Sequence, residues 1–208
     1  MTGGPIAIAG SEWDRAPRVE PDGYPGPVPP FPYRFGGSWI EPVDERELAA
    51  ELGRHPVAML AYGSNACPGQ LRRKLGEQVE PPLVVLPVEV EGLLITFAAL
   101  RASYGSVPAT VVAAPGTSRT HVLLLPEERA LQIDATEAAY ARLPLDPARH
   151  PVRLPDGTPL AVRCDAYVAE AGPLLGGDGR PVPLADLDQV SARALLVSSG
   201  ADRSATGR

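Results

Sequence analysis

The chain has 208 residues, 44% of them apolar, enough to close one sizeable core, and its 19 basic against 25 acidic residues leave a net charge of −6. It carries no long basic run, which excludes a nucleic-acid footprint, and no apolar stretch near the ~20 residues that a bilayer demands, which excludes a helical membrane span. The opening Met1-Thr2-Gly3-Gly4-Pro5 lacks the basic and apolar regions of a secretory signal, so the expected compartment is the cytoplasm. Two cysteines and three scattered histidines are too few for a disulfide scaffold or a zinc spacing, and Cys67 and Cys164 read as free thiols.

In chain order, residues 1–43 read as a Pro/Gly-rich N-terminal arm. The run Pro21-Asp22-Gly23-Tyr24-Pro25-Gly26-Pro27-Val28-Pro29-Pro30-Phe31-Pro32 lacks N–H groups and has fixed φ, which excludes helix and central strand. The arm's aromatic residues, among them Trp13, Tyr24 and Phe31, imply that part of it packs on the domain. A domain over 44–197 follows, and 198–208 reads as a frayed tail.

Asp44 is placed to N-cap a helix, with Glu47 in the capping-box position and Gly53 at its end. Val57-Ala58-Met59-Leu60-Ala61-Tyr62 is apolar without alternation and too short for a buried helix, which predicts a central strand covered on both faces. Strands are expected over 83–86, 88–97, 109–113 and 121–125, and a hairpin is expected around Pro155-Asp156-Gly157-Thr158, so antiparallel pairing should dominate. Helical signals return over about 126–141 and 184–196.

Tyr62-Gly63-Ser64-Asn65 lies between the central strand and a helix that Pro68 opens and Gly76 closes, with Arg72, Arg73 and Lys74 complementing the dipole in the last turn. A strand, a small-residue loop and a helix N-terminus make an anion-receiving corner: Gly63 permits close approach and successive N–H groups can converge on a carboxylate or developing oxyanion. Seventy residues on, Ile133, Glu137 and Tyr140 share one face at helical spacing, while Leu131, Ala135 and Ala138 share another. On that expectation Glu137 has apolar company, which would favour its protonated form and suit proton transfer.

Tyr62-Gly63-Ser64-Asn65, directly after the first core strand, resembles the signature of the gamma-glutamylcyclotransferase-like superfamily. Asp134, Glu137 and Tyr140 match that family's aspartate, catalytic glutamate and following tyrosine. Ala109-Thr110-Val111-Val112-Ala113-Ala114-Pro115-Gly116 is similar to its alanine-threonine strand and proline-glycine turn, and Arg163-Cys164-Asp165-Ala166-Tyr167-Val168 to a later strand. The four segments run in the family's order across Leu60 to Val168. Ala138 stands where a glycine commonly follows the glutamate, and the Val122 region replaces another common glycine. The Pro-rich arm and Arg101-Ala102-Ser103-Tyr104-Gly105-Ser106-Val107-Pro108 have no counterpart, so they could shape a different acceptor pocket.

The resemblance implies an α+β fold, a small mixed, mainly antiparallel β-barrel with surrounding helices. It implies a cyclotransferase or lyase that needs neither metal nor cofactor, acts on a small-molecule gamma-glutamyl amine or peptide and releases 5-oxoproline, as a monomer or homodimer. Carried over with it are Glu137 as general acid/base and Tyr62, Gly63, Ser64, Asn65 and Tyr140 as substrate-binding residues. Two other readings compete: a binding module that keeps the corner without turnover, and an interaction protein that uses the Pro-rich arm. Cys67, His55, His121 and His150 read as structural, and Gly176-Gly177-Asp178-Gly179 as a turn.

Overall fold

The computed structural model describes residues 4–202, apart from the side chains of Glu45, Arg46 and Ala49; much of the expected frayed tail lies outside them. The strands are β1 (Ile6–Ala7), β2 (Tyr33–Gly37), β3 (Trp39–Pro42), β4 (Val57–Leu60), β5 (Gln78–Phe97), β6 (Ala109–Leu125), β7 (Tyr140–Pro144), β8 (Val152–Arg153) and β9 (Arg163–Ala169). Four helices accompany them among the described residues: α1 (Glu45–Arg54), α2 (Pro68–Leu75), α3 (Glu127–Asp134) and α4 (Gln189–Ser198). None of these is long and apolar enough to cross a membrane.

The protein is α+β, with one nine-stranded sheet in the order β1-β3-β2-β5-β6-β4-β9-β7 and β8 on the free side of β5. Every pairing is antiparallel except β4 with β9. The path is linear, from β1 at one edge to β7 at the other, and among the described residues no pairing joins those edges. β4 lies between β6 and β9 and is buried throughout, as its unbroken apolar run requires.

Three expectations change. The strands expected over 83–86 and 88–97 merge into the 20-residue β5, and those over 109–113 and 121–125 into the 17-residue β6. Pro115-Gly116 is therefore an irregularity within a strand: Glu91 faces Thr117 and Leu93 faces Ala113, so three residues of β6 stand opposite Gly92. The second strand of the hairpin after Gly157 shrinks to a single bridge, Arg153 to Pro159.

The segment before Asp44 is joined to the sheet. β2 pairs with β5, and Tyr33 and Phe35 point into the core at 0% exposure with Arg34 between them half-buried, a period-2 pattern. The proline run itself stays outside the ladders, as its missing N–H groups demand. Asp44 caps α1 as expected, its carboxylate accepting from Glu47 N at 3.1 Å.

Candidate active site

The central strand delivers the loop. Ala61 N still donates to His121 O at 2.8 Å, after which the chain turns out of the sheet through Gly63. Ser64–Ala66 form a short 3-10 turn, Cys67 N donates to Ser64 O at 3.0 Å, and Pro68 opens α2 where its missing N–H removes no helical bond. The helix N-terminus is thus one 3-10 turn further from Gly63 than a direct strand-to-helix junction would place it. Leu71 and Leu75 of α2 pack on the core, and Gly76, at φ +89, ends the helix with its N–H on Arg72 O.

A cleft of about 570 Å³ opens at this loop, and Tyr62, Gly63, Ser64, Asn65, Glu137 and Tyr140 all line it. Asn65 Nδ2 donates to Glu137 Oε1 at 3.2 Å, so the loop and the carboxylate meet directly. Tyr62 gives its hydroxyl proton to Tyr167 O, and Tyr140 gives its own to Ala109 O at 2.9 Å. Both phenols are held well above their ordinary range, first by burial and then by neighbouring tyrosines and Glu137, so they stay protonated.

Glu137 does not sit on a helix. α3 stops at Asp134, where Ala135 and Thr136 begin a turn; Thr136 Oγ1 donates to Ile133 O at 2.8 Å, Glu137 N to Asp134 O at 3.0 Å and Tyr140 N to Glu137 O at 2.9 Å. Tyr140 then starts β7, whose pairing with β9 overrides the helical propensity of the alanines. The expected face of Ile133, Glu137 and Tyr140 is replaced by a turn that aims Glu137 into the cleft. Asp134 anchors that turn, accepting from the Tyr167 hydroxyl at 2.6 Å and pairing with Arg142 at 3.2 Å.

The neighbours of Glu137 are polar. Lys74 Nζ donates to Glu137 Oε1 and, at 2.7 Å, to Asn65 Oδ1, closing a triangle of Asn65, Lys74 and Glu137. Their side chains are little exposed, 7% for Lys74 and 16% for Glu137, so the pair is poorly screened by solvent. Lys74 is the single lysine beside 18 arginines. Its compact ammonium satisfies two adjacent acceptors where a planar guanidinium needs a wider fork. Gln70, one turn earlier on α2, also lines the cleft; its Oε1 is buried and has no hydrogen-bond partner among the described residues.

Sequence reading missed Lys74, Gln70 and Tyr24. For the first two a signal existed: they stand four residues apart, beside the Leu71–Leu75 pair, so α2 presents them together. Tyr24 offered none, because it reaches Ala109 across 85 residues of chain. Both segments without a family counterpart form walls of the cleft, the arm through Arg18 and Tyr24, and 101–108 through Ala102, Ser103, Tyr104 and Pro108.

The cysteines are structural. Burial pushes the Cys67 thiol up to about 11, and burial with the Asp165 carboxylate beside it pushes Cys164 up to about 12, so neither is a thiolate near neutral pH. Burial also lowers His55 and His121, keeping both neutral. Among the described residues no three His, Cys, Asp or Glu side chains converge as metal ligands.

No family model matches the chain, and no curated protein matches it. Among solved structures, the uncharacterized protein loc79017 from Homo sapiens is similar at 15% identity and a TM-score of 0.42, over 54% of this chain and 65% of that one. The chain thus spans just under two thirds of that protein's length. At5g39720.1 from Arabidopsis thaliana is similar at 15% identity and a TM-score of 0.43, over 69% of this chain and 84% of that one. Neither name states an activity.

Proposed function

We propose that the cleft catalyses intramolecular acyl transfer on a gamma-glutamyl amine or peptide, releasing 5-oxoproline and the free amine or amino acid. The observation that carries this reading is the 3.2 Å contact between Asn65 and Glu137, which places one carboxylate against the Tyr62–Asn65 loop inside a cleft of substrate size. It is supported by the resemblance of these segments to the gamma-glutamylcyclotransferase-like superfamily.

In this reaction the nucleophile belongs to the substrate. Its α-amino nitrogen attacks the carbonyl carbon of its own side-chain amide, a new C–N bond closes the five-membered ring, and the original amide C–N bond breaks. Glu137 takes the proton that the attacking nitrogen loses and returns it to the departing nitrogen, so the carboxylate ends as it began. Holding amine and carbonyl in one folded conformer supplies the effective concentration that an open chain lacks.

The polar groups divide the work. The ammonium of Lys74 offers a counter-charge for the substrate's α-carboxylate while holding Glu137 in place. The unpartnered Gln70 Oε1 accepts an N–H of the substrate's amino group. Ser64 needs no nucleophilic role, because the substrate carries the nucleophile.

The test is an assay of 5-oxoproline release over a panel of gamma-glutamyl amines and gamma-glutamyl dipeptides. Turnover of at least one panel member is expected. Binding of panel members without any 5-oxoproline would leave the cleft as a binding module and end the enzymatic reading.

A further inference from the structure

Six tyrosines occur in the chain, and five of them, Tyr24, Tyr62, Tyr104, Tyr140 and Tyr167, line the cleft. Tyr62, Tyr140 and Tyr167 spend their hydroxyl protons on Tyr167 O, Ala109 O and Asp134 Oδ1. Tyr24 is arranged the other way. Its oxygen receives the Ala109 N–H at 2.8 Å, and its own proton meets no acceptor among the described residues.

That oxygen lines the cleft beside the Tyr62–Asn65 loop. A Cβ on Gly63 would lie 2.4 Å from it, so the phenol occupies the close approach that the missing side chain creates. The sequence alone assigns this corner's N–H groups to the substrate. Tyr24 lines the cleft against Gly63 of that corner, with the Ala109 N–H on its oxygen.

The segment that carries it is fixed to the domain. Ser106 Oγ donates to Pro21 O at 2.9 Å, Arg193 of α4 pairs with Asp22, and Gly26 N closes a turn on Gly23 O. Burial, together with the nearby Tyr104 and Glu137, holds the phenol far above its ordinary range, so it remains a donor at any working pH.

We infer that the Tyr24 hydroxyl is the hydrogen-bond donor to the oxygen of the scissile amide carbonyl, so that the Pro-rich N-terminal segment completes the active site instead of serving a protein partner. This rests on the cyclotransfer reading. As the amine attacks, the carbonyl π electrons move onto oxygen and the Tyr24 O–H stabilises the resulting oxyanion. As the intermediate collapses, the carbonyl re-forms and the amine leaves with the proton that Glu137 returns. Tyr24 keeps its own proton throughout, which distinguishes it from the acid/base.

Tyr24→Phe removes only the oxygen. It is expected to lower kcat for 5-oxoproline release by about 100-fold or more with KM within about threefold, because the donor acts chiefly on the developing charge. A structural role alone would lower the melting temperature and leave kcat in place, and that result overturns the inference. A second measurement is independent of turnover: affinity for the glutamate analogue that carries a phosphonate at the γ position, read by calorimetry. Wild type is expected to bind it at least tenfold more tightly than Tyr24→Phe, and equal affinities overturn the inference. Weakened phosphonate binding in a protein that releases no 5-oxoproline upholds the donor and sinks cyclotransfer alone. Glu137-dependent turnover with unchanged kcat in Tyr24→Phe does the reverse. A wild type that neither turns over nor binds the phosphonate overturns both.

Discussion

Gly63→Ala tests the packing of the cleft floor with a single methyl group. The φ of Gly63 is −116°, outside the left-handed region, and the space that a Cβ needs is held by Tyr24. The new Cβ would stand 2.4 Å from the Tyr24 hydroxyl oxygen, and the phenol must retreat by about 1 Å to reach ordinary contact. A retreat of that size stretches the 2.8 Å bond from Ala109 N beyond the roughly 3.5 Å at which a hydrogen bond is lost. A buried N–H left without a partner costs about 1–3 kcal/mol. For a domain of this size each kcal/mol lowers the melting temperature by about 2–4 °C.

Tyr24→Phe supplies the control. In that background the atom facing the new Cβ is the ring carbon at 3.5 Å, an ordinary contact, and the Ala109 N–H is already unpaired. Gly63→Ala should then cost less than in wild type, giving a coupling of about 1–3 kcal/mol in a double-mutant cycle read by urea unfolding. Equal penalties in the two backgrounds would refute the reasoning, as would a neutral Gly63→Ala in wild type.

Two further predictions concern the groups around the site. Lys74→Met removes a poorly solvated charge-assisted bond of about 1.5–3 kcal/mol, so the affinity for a gamma-glutamyl substrate should fall tenfold or more, with Lys74→Arg restoring only part of it; full restoration by arginine in a binding titration would contradict the compact-site argument. His121 is lowered by burial, so the unfolded chain binds the extra proton: stability is complete above the unfolded value of about 6.5 and falls as pH drops through and below it. His121→Gln should flatten the decline of the unfolding free energy between pH 7 and 5, and an unchanged slope counts against that assignment.

What the sequence disclosed was local. The unbroken apolar run of β4, the Pro68 start and Gly76 stop of α2 and the Asp44 cap each depend on a few adjacent residues, and each appears in the structure. Glu137 could be placed beside the Tyr62–Asn65 loop only through the resemblance, since 72 residues separate it from Asn65. Its helical setting was misread because Ile133, Glu137 and Tyr140 do fit a 3.6-residue period. The chain leaves that period at Asp134, where Thr136 turns its hydroxyl onto Ile133 O and pairing with β9 claims Tyr140 onward. β2 was hidden by prolines and glycines on either side, although the alternation of Tyr33, Arg34 and Phe35 marked it. In the sequence Lys74 is a dipole partner, because only tertiary structure brings it to Glu137. Tyr24 was beyond any window, being defined by its contact with Ala109.

The central claim is that Glu137 moves protons in a reaction whose substrate the Tyr62–Asn65 loop binds. The most direct measurement compares Glu137→Gln with wild type on the best panel substrate, following single-turnover release of 5-oxoproline and substrate affinity in the same preparations. Affinity within about tenfold of wild type is expected, with a rate lower by roughly 100-fold to 10,000-fold, the range of a lost general acid/base. A glutamine variant that releases 5-oxoproline at the wild-type rate would contradict it.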